Sequence, residues 1–283
     1  MAHEVATTVP ESRMRAVVAA LLICAASALG AAAQTLPQGV REVTILGGWR
    51  QADGSRLAAV AISLAPGWHT YWRVPGDAGI PPTFDWSGSR NLARVDYEWP
   101  HPEVFELDGM RTIGYAGTLV LPVRLTPADP GAPLDLALAA NFGVCSDICV
   151  PADATAAARI APGAPDDGRP AIEAALAARA RTAAEAGVVG ATCSLEPSSD
   201  GIEVEARVTF AAPPAPGQVA VLESDQPGVW IGTAASETRG RTVVARAPVE
   251  GSGAGPVVER RSLRLTVLDD SRAVDIEGCA APG

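Results

Sequence analysis

The sequence predicts an all-β protein of two β-sandwich domains, joined by a Pro/Gly-rich linker and a short Ala-rich helix. Three observations point there. Apolar residues alternate with small or polar ones over short runs, as a strand with one buried face requires. Turn-forming clusters punctuate those runs at short intervals, and the pattern breaks once, at 163–187, before strands resume. The 283 residues suffice for two cores once an N-terminal segment is set aside.

Taken in order, residues 1–33 read as an export signal. Arg13 and Arg15 precede the almost wholly apolar run 17–29, and small residues at 30–33 offer a cleavage site. That run is too short to span a bilayer comfortably, and nothing downstream approaches the roughly 20 apolar residues of a membrane helix. The expected product is a soluble periplasmic protein. Met14 is the expected true start, and Cys24 leaves with the signal.

The first sandwich is expected over 34–162. Val60, Ile62 and Leu64 mark one strand, Leu119, Leu121, Val123 and Leu125 a second, and Leu134, Leu136 and Leu138 a third. Between them lie turn clusters at 52–55, 87–89, 108–109 and 127–131. The linker and helix occupy 163–187: a Pro, Gly and Asp-rich stretch precedes the alanine-rich run 170–186, which has Pro near its start and Gly187 past its end. A second sandwich then fills 188–283. Its clearest strand alternates Ile202, Val204, Ala206 and Val208 with Glu203, Glu205, Arg207 and Thr209.

A formal net charge of -10 argues against a nucleic-acid partner. The chain offers no nucleophile triad, no phosphate-binding glycine loop and no zinc constellation, and no cofactor is expected. With Cys24 removed, four cysteines remain in an oxidising compartment, which allows three disulfide connectivities. Cys193 falls in the first strand of the second domain and Cys279 just beyond its last. A bond between them closes nearly that whole domain, worth about 4.6 kcal/mol in the chain-entropy account, and reads as structural. Elimination pairs Cys145 with Cys149.

Those two lie in the stretch N-F-G-V-C-S-D-I-C-V-P, residues 141–151. On one continuous strand, positions i and i+4 lie about 13 Å apart at roughly 3.3 Å per residue, whereas a disulfide needs a Cα separation of about 4.4 to 6.8 Å. The chain must therefore turn at Ser146 and Asp147. So small a ring gains little from loop closure, and a corner bond that contributes little stability is more easily reduced. Two readings stand side by side, a redox-active pair and a staple on a hairpin.

The runs G-W-H-T-Y-W-R at 67–73, P-G-D-A-G-I-P-P at 75–82, L-V-L-P-V at 119–123 and C-S-D-I-C-V-P at 145–151 resemble, in order and spacing, the periplasmic N-terminal domain of the thiol:disulfide interchange protein DsbD family, closest to its ScsB (suppressor of copper sensitivity) branch. The match covers about residues 40–160. The resemblance implies an immunoglobulin-like sandwich whose pair Cys145 and Cys149 passes electrons from a membrane-embedded DsbD-type reductase to periplasmic thioredoxin-like or disulfide isomerase proteins. It further implies that Phe105 caps the pair, with Glu103 its acidic neighbour, that Tyr71 lies beside the thiols, and that Cys149 makes the intermolecular bond. His69 stands where the family usually has a second phenol, and the three-residue spacer between the cysteines is shorter than in DsbD itself. The membrane and thioredoxin-like domains of DsbD find no match in this sequence, so a separately encoded electron donor is expected.

The competing readings are a non-catalytic immunoglobulin-like binding module with two permanent disulfides and a copper-handling protein. His69 and His101 invite a metal, yet Met110 is the only methionine beyond the signal and no His/Met cluster exists. No metal site is expected on those grounds.

Overall fold

The structure, a computed structural model, describes residues 36–283 apart from 108, 200 and 252–257. The signal segment 1–33, with Met14 and Cys24, lies outside the described residues. Among the described residues the fold is all-β but for one helix and a single 3-10 turn.

Ten strands precede the helix: β1 (Val40–Arg50), β2 (Arg56–Leu64), β3 (His69–Gly76), β4 (Thr83–Asp85), β5 (Leu92–Tyr97), β6 (Glu103–Leu107), β7 (Met110–Ala116), β8 (Thr118–Pro127), β9 (Leu134–Cys145) and β10 (Cys149–Ile160). They form a four-stranded sheet, β1-β2-β8-β5, and a six-stranded one, β10-β9-β3-β7-β6, with β4 added along β9. Val60, Ile62, Leu121 and Val123 from the first sheet and Leu136, Leu138 and Phe142 from the second share one buried core. The period-2 pattern explains why: in β9, Leu134, Leu136 and Leu138 are buried while Asp135 and Ala137 between them are not.

The helix α1 (Arg169–Ala177) has Pro170 in its first turn, where the missing N–H costs nothing. It ends well short of the expected 186. The alanines favour helix, but a different set of bonds takes over beyond 177. Arg179 bridges Pro100, the strand β11 (Arg181–Thr182) adds parallel to a strand near the C-terminus, and Glu185 accepts from the Thr182 amide at 2.8 Å while pairing with Arg179 at 2.8 Å. Tertiary pairing overrides a weak local preference.

The remaining strands are β12 (Val188–Ser198), β13 (Gly201–Phe210), β14 (Val219–Ser224), β15 (Val229–Ile231), β16 (Ala235–Arg239), β17 (Thr242–Gly251), β18 (Leu263–Leu268) and β19 (Ala273–Glu277). They make a sheet β11-β19-β18-β14 and a sheet β12-β13-β17-β15, with β16 also on β17. Val204, Ala206, Val208, Leu222, Val243, Leu265 and Val267 close a second core. Residues 36–283 nevertheless make one compact unit. Arg73 on β3 grips Glu223 on β14 through two guanidinium nitrogens, at 2.9 and 2.5 Å, and lies 4.0 Å over the Trp72 ring.

Candidate functional site

The hairpin β9–β10 reverses over Ser146–Ile148, and its last aligned pair is Cys145 opposite Cys149. The register therefore does what an extended strand cannot. It brings the two Cα atoms to 4.1 Å, and the sulfurs are bonded. The two cysteines differ in access: Cys145 is 2% exposed, whereas Cys149 is exposed, beside an Ile148 that leaves 71% of its surface in solvent.

One row of the sheet carries the site. Cys149 faces Cys145, Cys145 faces His69 on β3, and His69 faces Ala116 on β7. The β3–β9 ladder stops after Thr70, whose hydroxyl donates to the Gly143 carbonyl at 2.8 Å. Tyr71, wholly buried, then lays its ring across Gly143, and its hydroxyl donates to the Cys149 sulfur at 3.0 Å. A Cβ on Gly143 would stand 2.6 Å from that ring and 2.8 Å from Ile80, and one on Gly79 would stand 2.8 Å from it. Two glycines thus open the slot through which a tyrosine reaches a disulfide. Burial pushes the Tyr71 phenol up from its ordinary value, so at neutral pH the group is a protonated donor.

His69 stacks on Phe105, centroids 4.5 Å apart and planes 18° from parallel, and meets the edge of Tyr71 at 5.6 Å. Its Nε2 is buried and has no hydrogen-bond partner among the described residues. Burial pushes the imidazole down from its ordinary value, and the Glu103 carboxylate opposes that shift. Phe105 is half-buried on β6, two residues from the exposed Glu103. The hairpin carrying both is anchored beside its turn, where Asp77 and Arg111 exchange two bonds of 2.8 Å, one amide to carbonyl and one amide to carboxylate. The Asp77 carboxylate also bonds the Thr233 side chain, the largest reason it lies below the usual range.

The site residues named from sequence therefore meet. Cys145, Cys149, Tyr71, His69, Phe105 and Glu103 come from four strands, and Phe105 reaches the disulfide's surroundings by stacking on His69. Sequence reasoning missed Gly143, Gly79 and Ile80. A lone glycine inside a strand pattern, two positions before Cys145, was the available signal of close approach.

Cys193 and Cys279 are bonded at a Cα separation of 5.7 Å. Cys193 is fully buried, its amide donates to the Ala280 carbonyl at 2.9 Å, and its own carbonyl accepts from Arg260 at 2.8 Å. This bond is woven into the second core. His101 is engaged elsewhere, its Nε2 2.9 Å from the Asp269 carbonyl, and no group of three or more His, Cys, Asp or Glu among the described residues could hold a metal.

The sequence model of the family described as "Thiol:disulfide interchange protein DsbD, N-terminal" matches residues 42–160, the segment that holds every strand of this site. Residues 42–160 are a DsbD-family N-terminal domain. The crystal structure of the N-terminal periplasmic domain of ScsB from Proteus mirabilis is similar with a TM-score of 0.63 at 20% identity, over 85% of this chain and 92% of that one. At that identity the likeness is one of fold, and it extends past the DsbD domain into the strands after α1. Comparison with curated proteins gave no match. Within the DsbD domain, the disulfide at the end of β9 is the feature with chemistry to offer. No helix among the described residues is long and apolar enough to cross a membrane.

Proposed function

We propose that this chain is a periplasmic thiol–disulfide interchange protein, which takes reducing equivalents from a membrane-embedded DsbD-type reductase and passes them to exported thioredoxin-like or isomerase proteins through Cys145 and Cys149. The observation that carries the reading is the asymmetry of the pair: an exposed Cys149, held by the Tyr71 hydroxyl, bonded to a buried Cys145. An incoming thiolate can approach Cys149 in line while Cys145 leaves behind it. In the opposite direction the Cys149 thiolate attacks an acceptor disulfide, the acceptor's outer sulfur leaves as thiolate, and Cys145 then displaces the remaining acceptor sulfur to re-form the internal bond. Family membership of residues 42–160 supports this reading.

The same reading takes 34–162 and 188–283 as two sandwich domains, the first immunoglobulin-like, around a linker at 163–187. The second then has a mechanical role: through Glu223 on Arg73 and Thr233 on Asp77, it steadies β3 and the turn end of the β6–β7 hairpin. Neither the permanently closed binding module nor a copper-handling protein is favoured by a specific observation.

The test is transfer to a defined acceptor. Fully reduced protein is mixed with oxidised thioredoxin, quenched in acid, alkylated and weighed. Electrons are expected to pass from Cys145 and Cys149, and Cys145→Ser is expected to trap a mixed disulfide on Cys149. Absence of both transfer and trapped adduct supports the closed module instead.

A further inference from the structure

We propose that His69 is the acid–base partner of Cys145, taking the proton of the Cys145 thiol when that sulfur resolves a mixed disulfide on Cys149 and returning it when Cys145 leaves. The inference deepens the interchange reading and rests on it.

The geometry has three parts. His69 is the residue opposite Cys145 in the β3–β9 ladder, and directly opposed side chains on one face have Cβ atoms roughly 4.5–5.5 Å apart. Both point to the same face: Tyr71, two residues along from His69 and therefore on its side of the sheet, reaches the Cys149 sulfur, and the imidazole meets the edge of that same Tyr71 ring. Finally, His69 Nε2 is buried without a partner, although a buried ring nitrogen ordinarily finds one.

The chemistry supplies the need. Cys145 is 2% exposed, so its reduced thiol has little water to give a proton to, and desolvation resists its ionisation. Phe105, stacked on the imidazole, keeps bulk water from taking over the role. The groups that face His69 are Glu103 from β6, Tyr71 from its own strand and the two cysteines from β9 and β10; β7 presents Ala116. Burial outweighs Glu103 and keeps the ring neutral near pH 7, ready to accept.

The step balances. With an acceptor sulfur R bound to Cys149, neutral His69 takes the Cys145 proton. The thiolate attacks the Cys149 sulfur, the internal disulfide forms, and R leaves as thiolate with the electron pair. The imidazolium then releases its proton to that thiolate or to solvent. In reverse, neutral His69 takes the proton of the donor thiol, the donor thiolate attacks Cys149, Cys145 leaves as thiolate with the electron pair, and the imidazolium protonates it.

The experiment follows reduced protein reacting with the aromatic disulfide 5,5'-dithiobis(2-nitrobenzoate) in a stopped-flow instrument. The first thionitrobenzoate release reports attack on the reagent; the second, first-order, reports resolution by Cys145. His69→Gln and His69→Phe are expected to slow the second release by about 10²-fold at neutral pH, the lower end of what a positioned base contributes, with the first release near its wild-type rate. The deficit should close toward about pH 10, where a thiol ionises unaided. Should either variant misfold, the wild-type profile decides: a second release governed by one ionisation near that of a free thiol, about 8.5, overturns the proposal. So does a second release unchanged in rate and profile in both folded variants. The reagent needs no protein partner, so failure of transfer to thioredoxin leaves this result readable on its own.

Discussion

The Tyr71 hydroxyl donates a 3.0 Å hydrogen bond to the Cys149 sulfur from a ring that is itself wholly buried. The donor is thus fixed before any partner arrives, and in the reduced state it would serve a thiolate. A hydrogen bond to a charged group contributes about 1.5–3 kcal/mol, so Tyr71→Phe should raise the Cys149 thiol by roughly one to two pH units, since 1.36 kcal/mol corresponds to one. The pH profile of iodoacetamide alkylation at Cys149, in a Cys145→Ser background, checks this. An unmoved profile would reduce Tyr71 to packing.

Gly143 makes that contact possible. Gly143→Ala would set a methyl group 2.6 Å from the Tyr71 ring and 2.8 Å from Ile80, with no exposed direction for the ring to yield. Overpacking of this kind costs about 1–3 kcal/mol. A denaturant melt should show that loss, and alkylation at Cys149 should shift as it does in Tyr71→Phe. A variant as stable as the parent, with an unchanged profile, would mean that the slot is slack.

Phe105 covers His69 on the side away from the sheet's main core. If it limits access to the pair, Phe105→Ala should speed reaction of the reduced protein with a small disulfide, while a partner surface can displace the β6–β7 hairpin that carries it. Stability should fall far less than the ~3 to 5 kcal/mol of a buried core Phe, because this side chain is only half-buried. An unchanged rate together with a core-sized loss would make Phe105 a packing residue.

Much of this was legible in the sequence, for identifiable reasons. Strand faces such as Leu134, Leu136 and Leu138 declare themselves because burial alternates with the pleat. The disulfide pairing followed from four cysteines, two of them too close to do anything but span a turn. The helix was overextended because Arg181 and Thr182 answer to β19, a partner that alanine content does not reveal. The register that sets His69 against Cys145 joins strands far apart in the chain, and no local pattern encodes it. Gly143 was visible as a lone glycine in a strand, but only the fold shows which ring crosses it.

The central claim is that the hairpin pair is the working one and the other pair is structural. Titration with a graded glutathione redox buffer, followed by alkylation and mass mapping of all four cysteines, tests it most directly. The exposed, short-ring bond between Cys145 and Cys149 should open well before the bond of the fully buried Cys193 to Cys279, which closes nearly the whole second set of strands. Reduction of both pairs together, or of Cys193 and Cys279 first, would contradict the account.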